Sequence, residues 1–290
     1  MSPYHIMQHF YSKKQSIKVG KQLMMLNTPK VMGILNITPD SFFDGGSYTE
    51  KEQIKNRVLQ LKNEGTDIID IGAYSSRPNA EDITAQEEIN RLDIALQIIK
   101  ELDINIPISI DTFRSEVAAF ALEKYQVEMI NDISAGDLDP KMIDVIAQYK
   151  PVYIIMHMRG TPQSMTSLTE YKNMCSEIIK YFSEKLAILN EKGINDVIID
   201  PGFGFAKTLD QNYELLKKLD LFNMLETPIL AGISRKSMLY KLLDCEAKDA
   251  LNATSISNTI ALAKGADILR VHDVKAAKEC VAIYSKTENS

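Results

Sequence analysis

The chain has 290 residues, of which 45% are hydrophobic and 25% charged, and it carries a formal net charge of -6. A charge of that sign argues against a general binder of nucleic acid or acidic membrane, because both polyanions repel it. Cys175, Cys245 and Cys280 are the only cysteines; none forms a CxxC pair and their number is odd, which points to free thiols and excludes a disulfide framework or a cysteine zinc site.

In chain order, the N-terminal stretch is polar and aromatic with no apolar signal core, and no apolar run reaches the roughly 20 residues that span a membrane, so a cytoplasmic protein is expected. Residues 1–30 precede a regular pattern, and within them Ile17–Leu26 reads as a small hairpin closing a barrel floor. Eight short, nearly unbroken apolar runs then follow: Val31–Ile37, Ile68–Gly72, Ile106–Asp111, Met129–Ile133, Val152–Met158, Val197–Asp200, Ile229–Ile233 and Ile268–Val271. Such runs suit strands covered on both faces, as in a parallel sheet. Between and after them lie stretches with apolar residues at helical spacing: Glu52–Glu64, Gln86–Leu102, Ser115–Tyr125, Asp139–Gln148, Tyr171–Lys192, Asn212–Leu219, Ala250–Lys264 and Lys275–Ser285. Gly65, Gly193, Pro228 and Gly265 supply stop signals before strands. Eight strands alternating with eight helices predict an α/β fold, a (β/α)8 TIM barrel forming one domain over 1–290. Periodicity does not reveal closure, so an open doubly wound sheet stands as the alternative.

In such barrels the reactive groups stand at the C-terminal ends of the strands. The first strand ends in Asn36 and runs into a long loop, Thr38–Gly46, with two phenylalanines and two glycines, which reads as a cover over a site. The second leads into Tyr74, Ser75, Ser76, Arg77 and Pro78. The third, fourth and sixth end in Asp111, Asn131 and Asp200. Asp111 and Asn131 are each open to a second reading as helix caps. Together the three make an acceptor cluster suited to a heterocycle with a guanidine-like edge, since a carboxylate takes two parallel N–H bonds from such a group. His157, between Met156 and Met158, reads either as a strand-end structural histidine or as an acid/base group. Near the seventh strand lie Gly232, Ser234, Arg235 and Lys236. On the eighth, Arg270 and His272 are two apart and face the same way, a pocket suited to phosphate or diphosphate.

These residues also spell a family pattern. Met32–Phe42 (MGILNITPDSF), Asp70–Pro78 (DIGAYSSRP), Ser109–Thr112, Asn131-Asp132, Met156–Met158, Asp200–Phe205 (DPGFGF), Ser234–Ser237 (SRKS) and Arg270–Asp273 (RVHD) follow in order, and the chain resembles the dihydropteroate synthase family from about residue 30 to 275. The resemblance implies a homodimeric barrel that condenses 6-hydroxymethyl-7,8-dihydropterin diphosphate with p-aminobenzoate, with Mg2+ assisting. It implies pterin binding by Asp111, Asn131, Met156, Asp200, Gly232 and Lys236, and diphosphate binding by Asn36, Arg270 and His272, with Asn36 also toward the metal. It implies a p-aminobenzoate site of Ser76, Arg77, Pro78, Phe205 and Ser234, and catalytic roles for Asp111, Lys236, Arg270 and His272. The chain departs from the family pattern at Ala73, Tyr74, Asn79 and Ala206, where Gly, Glu, Gly and Gly are frequent. Two other readings remain at this stage: a corrinoid-linked methyltransferase acting on methyltetrahydrofolate, which would need neither the anion pocket nor the two loops, and a non-catalytic pterin-binding protein.

Overall fold

The computed structural model describes residues 13–38, 47–74, 83–288 and 290. A two-stranded antiparallel hairpin, β1 (Ser16–Val19) and β2 (Gln22–Met25), comes first. Eight parallel strands follow: β3 (Lys30–Asn36), β4 (Ile68–Gly72), β5 (Ile108–Asp111), β6 (Met129–Asp132), β7 (Val152–Met156), β8 (Val197–Asp200), β9 (Leu230–Ala231) and β10 (Ile268–Val271). Their ladder order is β8-β7-β6-β5-β4-β3-β10-β9. The ends of that list meet through a parallel bridge between Ile199 and Ile229, reinforced by the Ile199 N–H donating to Pro228 O at 2.9 Å. The sheet is therefore a closed barrel rather than an open doubly wound sheet, and β3 pairs with β10 as the expected closure requires.

Helices cover the outside: α1 (Ser47–Asn63), α2 (Ala85–Glu101), α3 (Ser115–Tyr125), α4 (Lys141–Tyr149), α5 (Met174–Glu191), α6 (Leu209–Lys217), α7 (Ser237–Leu242), α8 (Leu251–Ala263) and α9 (Val274–Glu288). Their starts follow local chemistry. Thr84 caps α2 through Glu87 N–H, Asn173 caps α5 through Ser176 N–H, and Thr208 with Gln211 forms a reciprocal capping box on α6. The six-residue α7 is absent from the sequence reading because so short a helix leaves no periodicity to detect. Among the described residues, no helix is long and apolar enough to cross a membrane.

Alternation along each strand divides the side chains into two layers. Ile69, Ile71, Ile110, Ile130, Ile155, Ile199 and Leu269 face outward and pack beneath the helices. Ile68, Met129, Val152, Ile154, Ile198, Leu230 and Ile268 face inward near the strand starts, and Ile17, Val19 and Leu26 of the hairpin join them. The hairpin thus packs its apolar side chains on the strand starts at the floor. Toward the strand ends the interior turns polar: Asp70, Ser109, Asn131, Asp200 and Arg270 replace the aliphatic side chains. This gradient fixes where chemistry can occur.

The seam between β8 and β9 has the least ladder, and residues 13 and 14 cross it. Lys14 donates to Asn195 O and Asp196 Oδ1 at 2.9 and 2.7 Å, just before β8, while its N–H reaches Glu226 O. Lys13 donates to Gly265 O at 2.6 Å and Asn223 Oδ1 at 3.2 Å, and pairs with Asp267 just before β10. Asp267 Oδ2 in turn accepts the Ile229 N–H at 2.7 Å, the residue that bridges the seam. Replacing Lys13 by Met leaves Asp267 buried without its cation; the expected loss is about 3 kcal/mol in urea unfolding, with the far-UV spectrum unchanged. A loss below about 0.5 kcal/mol would show that the seam does not depend on this pair.

Candidate active site

The parallel register builds the mouth. Asn36 stands opposite Gly72, Gly72 opposite Asp111, and Asp111 opposite Asn131, so four consecutive strands end in one row. One step lower, Ile34, Asp70 and Ser109 form the next row. Met156 stands opposite Asp200 on the far side. Gly72 has no side chain to separate its neighbours: a Cβ there would meet Asn36 Oδ1 at 3.5 Å and Asp111 Oδ2 at 3.7 Å. Neither Asp111 nor Asn131 caps a helix. The N-cap of α3 is Arg114, and no residue between Asp132 and α4 takes a cap bond from Asn131.

Arg270 rises into this mouth from β10. Its Nε donates to Asp70 Oδ2 and its Nη2 to Asp111 Oδ2, both at 2.6 Å. Asn131 Nδ2 donates to the same Asp70 oxygen at 3.2 Å. Burial alone would lower the Arg270 pKa, but the carboxylates of Asp70, Asp111 and Asp200 outweigh it and hold the guanidinium charged. For Asp111 the balance runs the other way. Removal from water, which Arg270 opposes and Asp70 assists, pushes its carboxyl up to about 7.

Asp200 and Lys236 form the opposite wall. Asp200 Oδ1 accepts the Gly202 N–H at 2.8 Å, and burial raises its carboxyl above the usual range despite Lys236. Gly232 lies beside both groups; a Cβ there would stand 3.6 Å from Asp200 Oδ2 and 3.9 Å from Lys236 Nζ. Lys236 donates to Phe203 O and places its ammonium 4.6 Å from the Phe205 ring centroid. Burial brings this lysine down to about 8, with Asp200 resisting and Arg270 assisting. Ile133, Met156, Met158, Met165 and Ala206 pack as an apolar cluster with Phe113, Leu138 and Phe205 against it, a surface suited to a flat ring.

His272 follows Arg270 toward the rim. Ser234 Oγ accepts the His272 backbone N–H at 3.2 Å and lies 3.1 Å from Nδ1. With that hydroxyl donating to Nδ1, Nε2–H is the outward donor. Burial, then the charge of Arg270, lowers His272 to about 4, so it offers a hydrogen bond and not a positive charge. Arg235 does not join the pocket: its guanidinium makes a two-pronged pair with Asp273 at 2.8 and 2.9 Å. Ser76, Arg77, Pro78 and Asn79 lie outside the described residues, as does the Pro39–Gly46 part of the first loop.

Three residues that shape the site carried no role in the sequence reading. Asp70 is wholly buried, and its signal was a carboxylate inside the apolar run Ile68–Gly72. Arg57, on α1, donates to His272 O at 2.6 Å and to Ile34 O at 3.3 Å, which fixes the β10 end against β3; an arginine on a helix gives no such hint. Lys207 is buried with its ammonium on Gly202 O (2.9 Å), Phe205 O (3.0 Å) and His157 Nδ1 (3.4 Å). The loop 201–206 wraps this ammonium, and Gly202 is required there, since φ is +77° and a Cβ would fall 2.2 Å from His157 O. Burial lowers Lys207 to about 7 and His157 to about 2, with Lys207 adding to the latter, so His157 is a neutral packing partner of that lysine.

The mouth of this closed barrel joins three acceptor side chains, an apolar ring surface and a buried guanidinium. The sequence profile of the pterin binding enzyme family matches residues 32–272. A dihydropteroate synthase from Synechocystis is 43% identical over 249 residues, 85% of this chain and 86% of that protein. A Yersinia pestis dihydropteroate synthase, solved with a sulfonamide drug complex, superposes with a TM-score of 0.87 at 33% identity over 95% of this chain and all of that one. The Xanthomonas albilineans dihydropteroate synthase with 4-aminobenzoic acid gives 0.87 at 32% identity, covering 95% and 99%. The chain belongs to the dihydropteroate synthases, transferases of folate biosynthesis within the pterin-binding enzymes.

Ala206 provides a local test. Its φ of +49° is left-handed, where an L side chain is strained and the family's frequent glycine is not. Against the flexibility that glycine adds to the unfolded chain, Ala206→Gly is expected to raise Tm by about 2 °C in calorimetry. A lower Tm would mean that the methyl's packing in the Met156–Met165 cluster outweighs the strain.

Proposed function

We propose that this mouth condenses 6-hydroxymethyl-7,8-dihydropterin diphosphate with p-aminobenzoate by a dissociative, SN1-like path, with the following division of labour. Asn131, Asp200 and Lys236 hold the pterin, beside Met156 and Gly232. Asn36, Arg270 and His272 hold the diphosphate. Phe205 and Ser234, with Ser76, Arg77 and Pro78, serve the p-aminobenzoate side. The observation that carries this reading is Arg270, one guanidinium that touches the pterin-side carboxylate Asp111 and stands below His272 and Asn36 at the rim.

The reaction breaks the bond between the pterin methylene and the diphosphate oxygen, and the electron pair leaves with diphosphate. Arg270 neutralises the departing charge, and the neutral His272 donates from Nε2. The methylene cation left behind is conjugated with the pterin, and the fixed charge of Asp111 stabilises it. The amine nitrogen of p-aminobenzoate then supplies the new C–N bond and gives up a proton. An aryl amine is a free nucleophile at neutral pH, so no strong base is assigned. Burial of the site keeps water from taking the cation.

Among the described residues, no group of three or more His, Cys, Asp or Glu side chains could hold a metal ion. Asn36 offers one hard amide oxygen beside the anion pocket, a donor set that fits Mg2+ arriving on the diphosphate and not a resident cage. Bound there, Mg2+ would supply charge neutralisation of the leaving group.

The rate profile follows from the two walls. Asp111 works as an anion and titrates at about 7, while Lys236 binds as a cation and titrates at about 8. kcat/KM should therefore rise through pH 7 and fall above pH 8. Asp111→Asn should cut kcat by about a hundredfold or more with a small change in pterin affinity, and abolish the acidic limb. Equal losses in turnover and binding would refute its cation-stabilising role. The direct assay is mass-resolved formation of dihydropteroate with one equivalent of diphosphate from the two substrates and Mg2+; pterin binding without product would refute the reaction.

A cytoplasmic homodimer completes the proposal. On α8, Ile256 and Ile260 are 54% and 41% exposed one turn apart, and Ile283 of the neighbouring α9 is exposed as well. Ile256→Glu with Ile260→Glu should convert the protein to monomer in sedimentation velocity while leaving the fold intact. A wild-type monomer at about 10 µM would exclude a stable dimer.

A further inference from the structure

Asp70 is not itself assigned to substrate, yet two of the assigned groups rest on one of its oxygens. Oδ2 accepts from Arg270 Nε at 2.6 Å and from Asn131 Nδ2 at 3.2 Å. Its other oxygen, Oδ1, is buried with no hydrogen-bond partner among the described residues, so all the orienting power lies in Oδ2. The side chain is wholly buried, between Ile34 on β3 and Ser109 on β5.

A carboxylate paired with a guanidinium can only accept hydrogen bonds. Asn131 must then turn its amide nitrogen down toward Asp70 and its amide oxygen away, toward the ligand side. Without Asp70 the amide has no reason to prefer this sense, since its two ends are nearly equal in shape. Asp200 reinforces the pattern: the Gly202 N–H occupies its Oδ1, and Oδ2 lies near Gly232, where no side chain blocks it. The pocket thus presents acceptors at both Asn131 and Asp200. It matches a ring edge made of donors and rejects one made of acceptors, whose oxygens or bare nitrogens would face unpaired buried acceptors.

We propose that Asp70 is the positioning residue for substrate selection: through one oxygen it sets the hydrogen-bonding sense of Asn131 and anchors Arg270, so that the pocket recognises a heterocycle with a donor edge joined to an anion. The inference rests on the pterin and diphosphate sites proposed above and names what orients them.

An exchange of the two side chains tests it. In Asp70→Asn/Asn131→Asp, residue 70 can still accept from Arg270 Nε and now donates to a carboxylate at 131, whose free oxygen faces the ligand as an acceptor. Asn131→Asp alone keeps an acceptor toward the ligand but sets two carboxylates against each other. Asp70→Asn alone frees the amide at 131 to flip. Binding of 6-hydroxymethylpterin is measured by calorimetry for the wild type and all three variants, with thermal melts to verify folding. The expected result is a loss of about tenfold or more in each single variant and recovery to within about threefold of wild type in the exchange. Losses that simply multiply in the double variant would overturn the role of Asp70. If Asp70→Asn does not fold, the comparison of Asn131→Asp with the exchange decides: an exchange that recovers no binding overturns the role of Asp70. Failure of the wild type to bind 6-hydroxymethylpterin would instead overturn the pterin-site reading, and the inference with it.

Discussion

A guanidinium buried in the barrel interior bridges two carboxylates, and the mouth is arranged around it. Arg270 stands among Asp70, Asp111 and Asp200, three acidic groups that would repel one another in a dry interior without a cation between them. Its planar fork satisfies two of them with separate nitrogens, which a lysine ammonium could not do with the same fixed angles. The acidic pocket and the anion pocket are therefore not independent sites. The residue that makes the acids tolerable is also the one that meets the leaving group.

This arrangement depends on the barrel's shear. Parallel pairing places Asn36, Gly72, Asp111 and Asn131 in one row across β3 to β6, and a one-residue slip would turn each of them into the layer beneath the helices. The aliphatic floor, sealed by Ile17, Val19 and Leu26, holds the register from below. Glycines sit where side chains would separate partners: Gly72 between Asn36 and Asp111, and Gly232 beside Asp200 and Lys236. The site is built as much by small residues in the right rows as by the polar groups themselves.

Much of this was legible in the sequence. Ile68–Gly72, Val197–Asp200 and Ile268–Val271 coincide with the strands, because a doubly covered strand is an unbroken apolar run with a polar residue at its end. Ile229–Ile233 shrank to Leu230–Ala231, since a ladder needs partners on both sides and the β8 side supplies one bridge. The strand-end residues Asn36, Asp111, Asn131, Asp200, Arg270 and His272 do converge on one mouth. What could not be read was who holds whom. Asp70, Arg57 and Lys207 act across separations of 200, 215 and 50 residues, and a linear pattern carries no trace of such pairings. Nor could the protonation of His272 be read, because it depends on burial and on Arg270 together.

The two lysines that cross the seam carry a consequence for the order in which the protein is made. Lys13 leaves the ribosome well before its partners at Gly265 and Asp267, Gly265 lying 252 positions further along the chain. β10 likewise reaches β3 only after every strand between them has been synthesised. At elongation rates of about 5–20 residues per second, the N-terminal segment and the early strands wait many seconds for the strands that complete them. During that interval β3 and β8 are open edges, able to pair with other chains. Closure of the barrel therefore waits on β9 and β10, and Ile17, Val19 and Leu26 of the floor hairpin are made ahead of every strand that they seal.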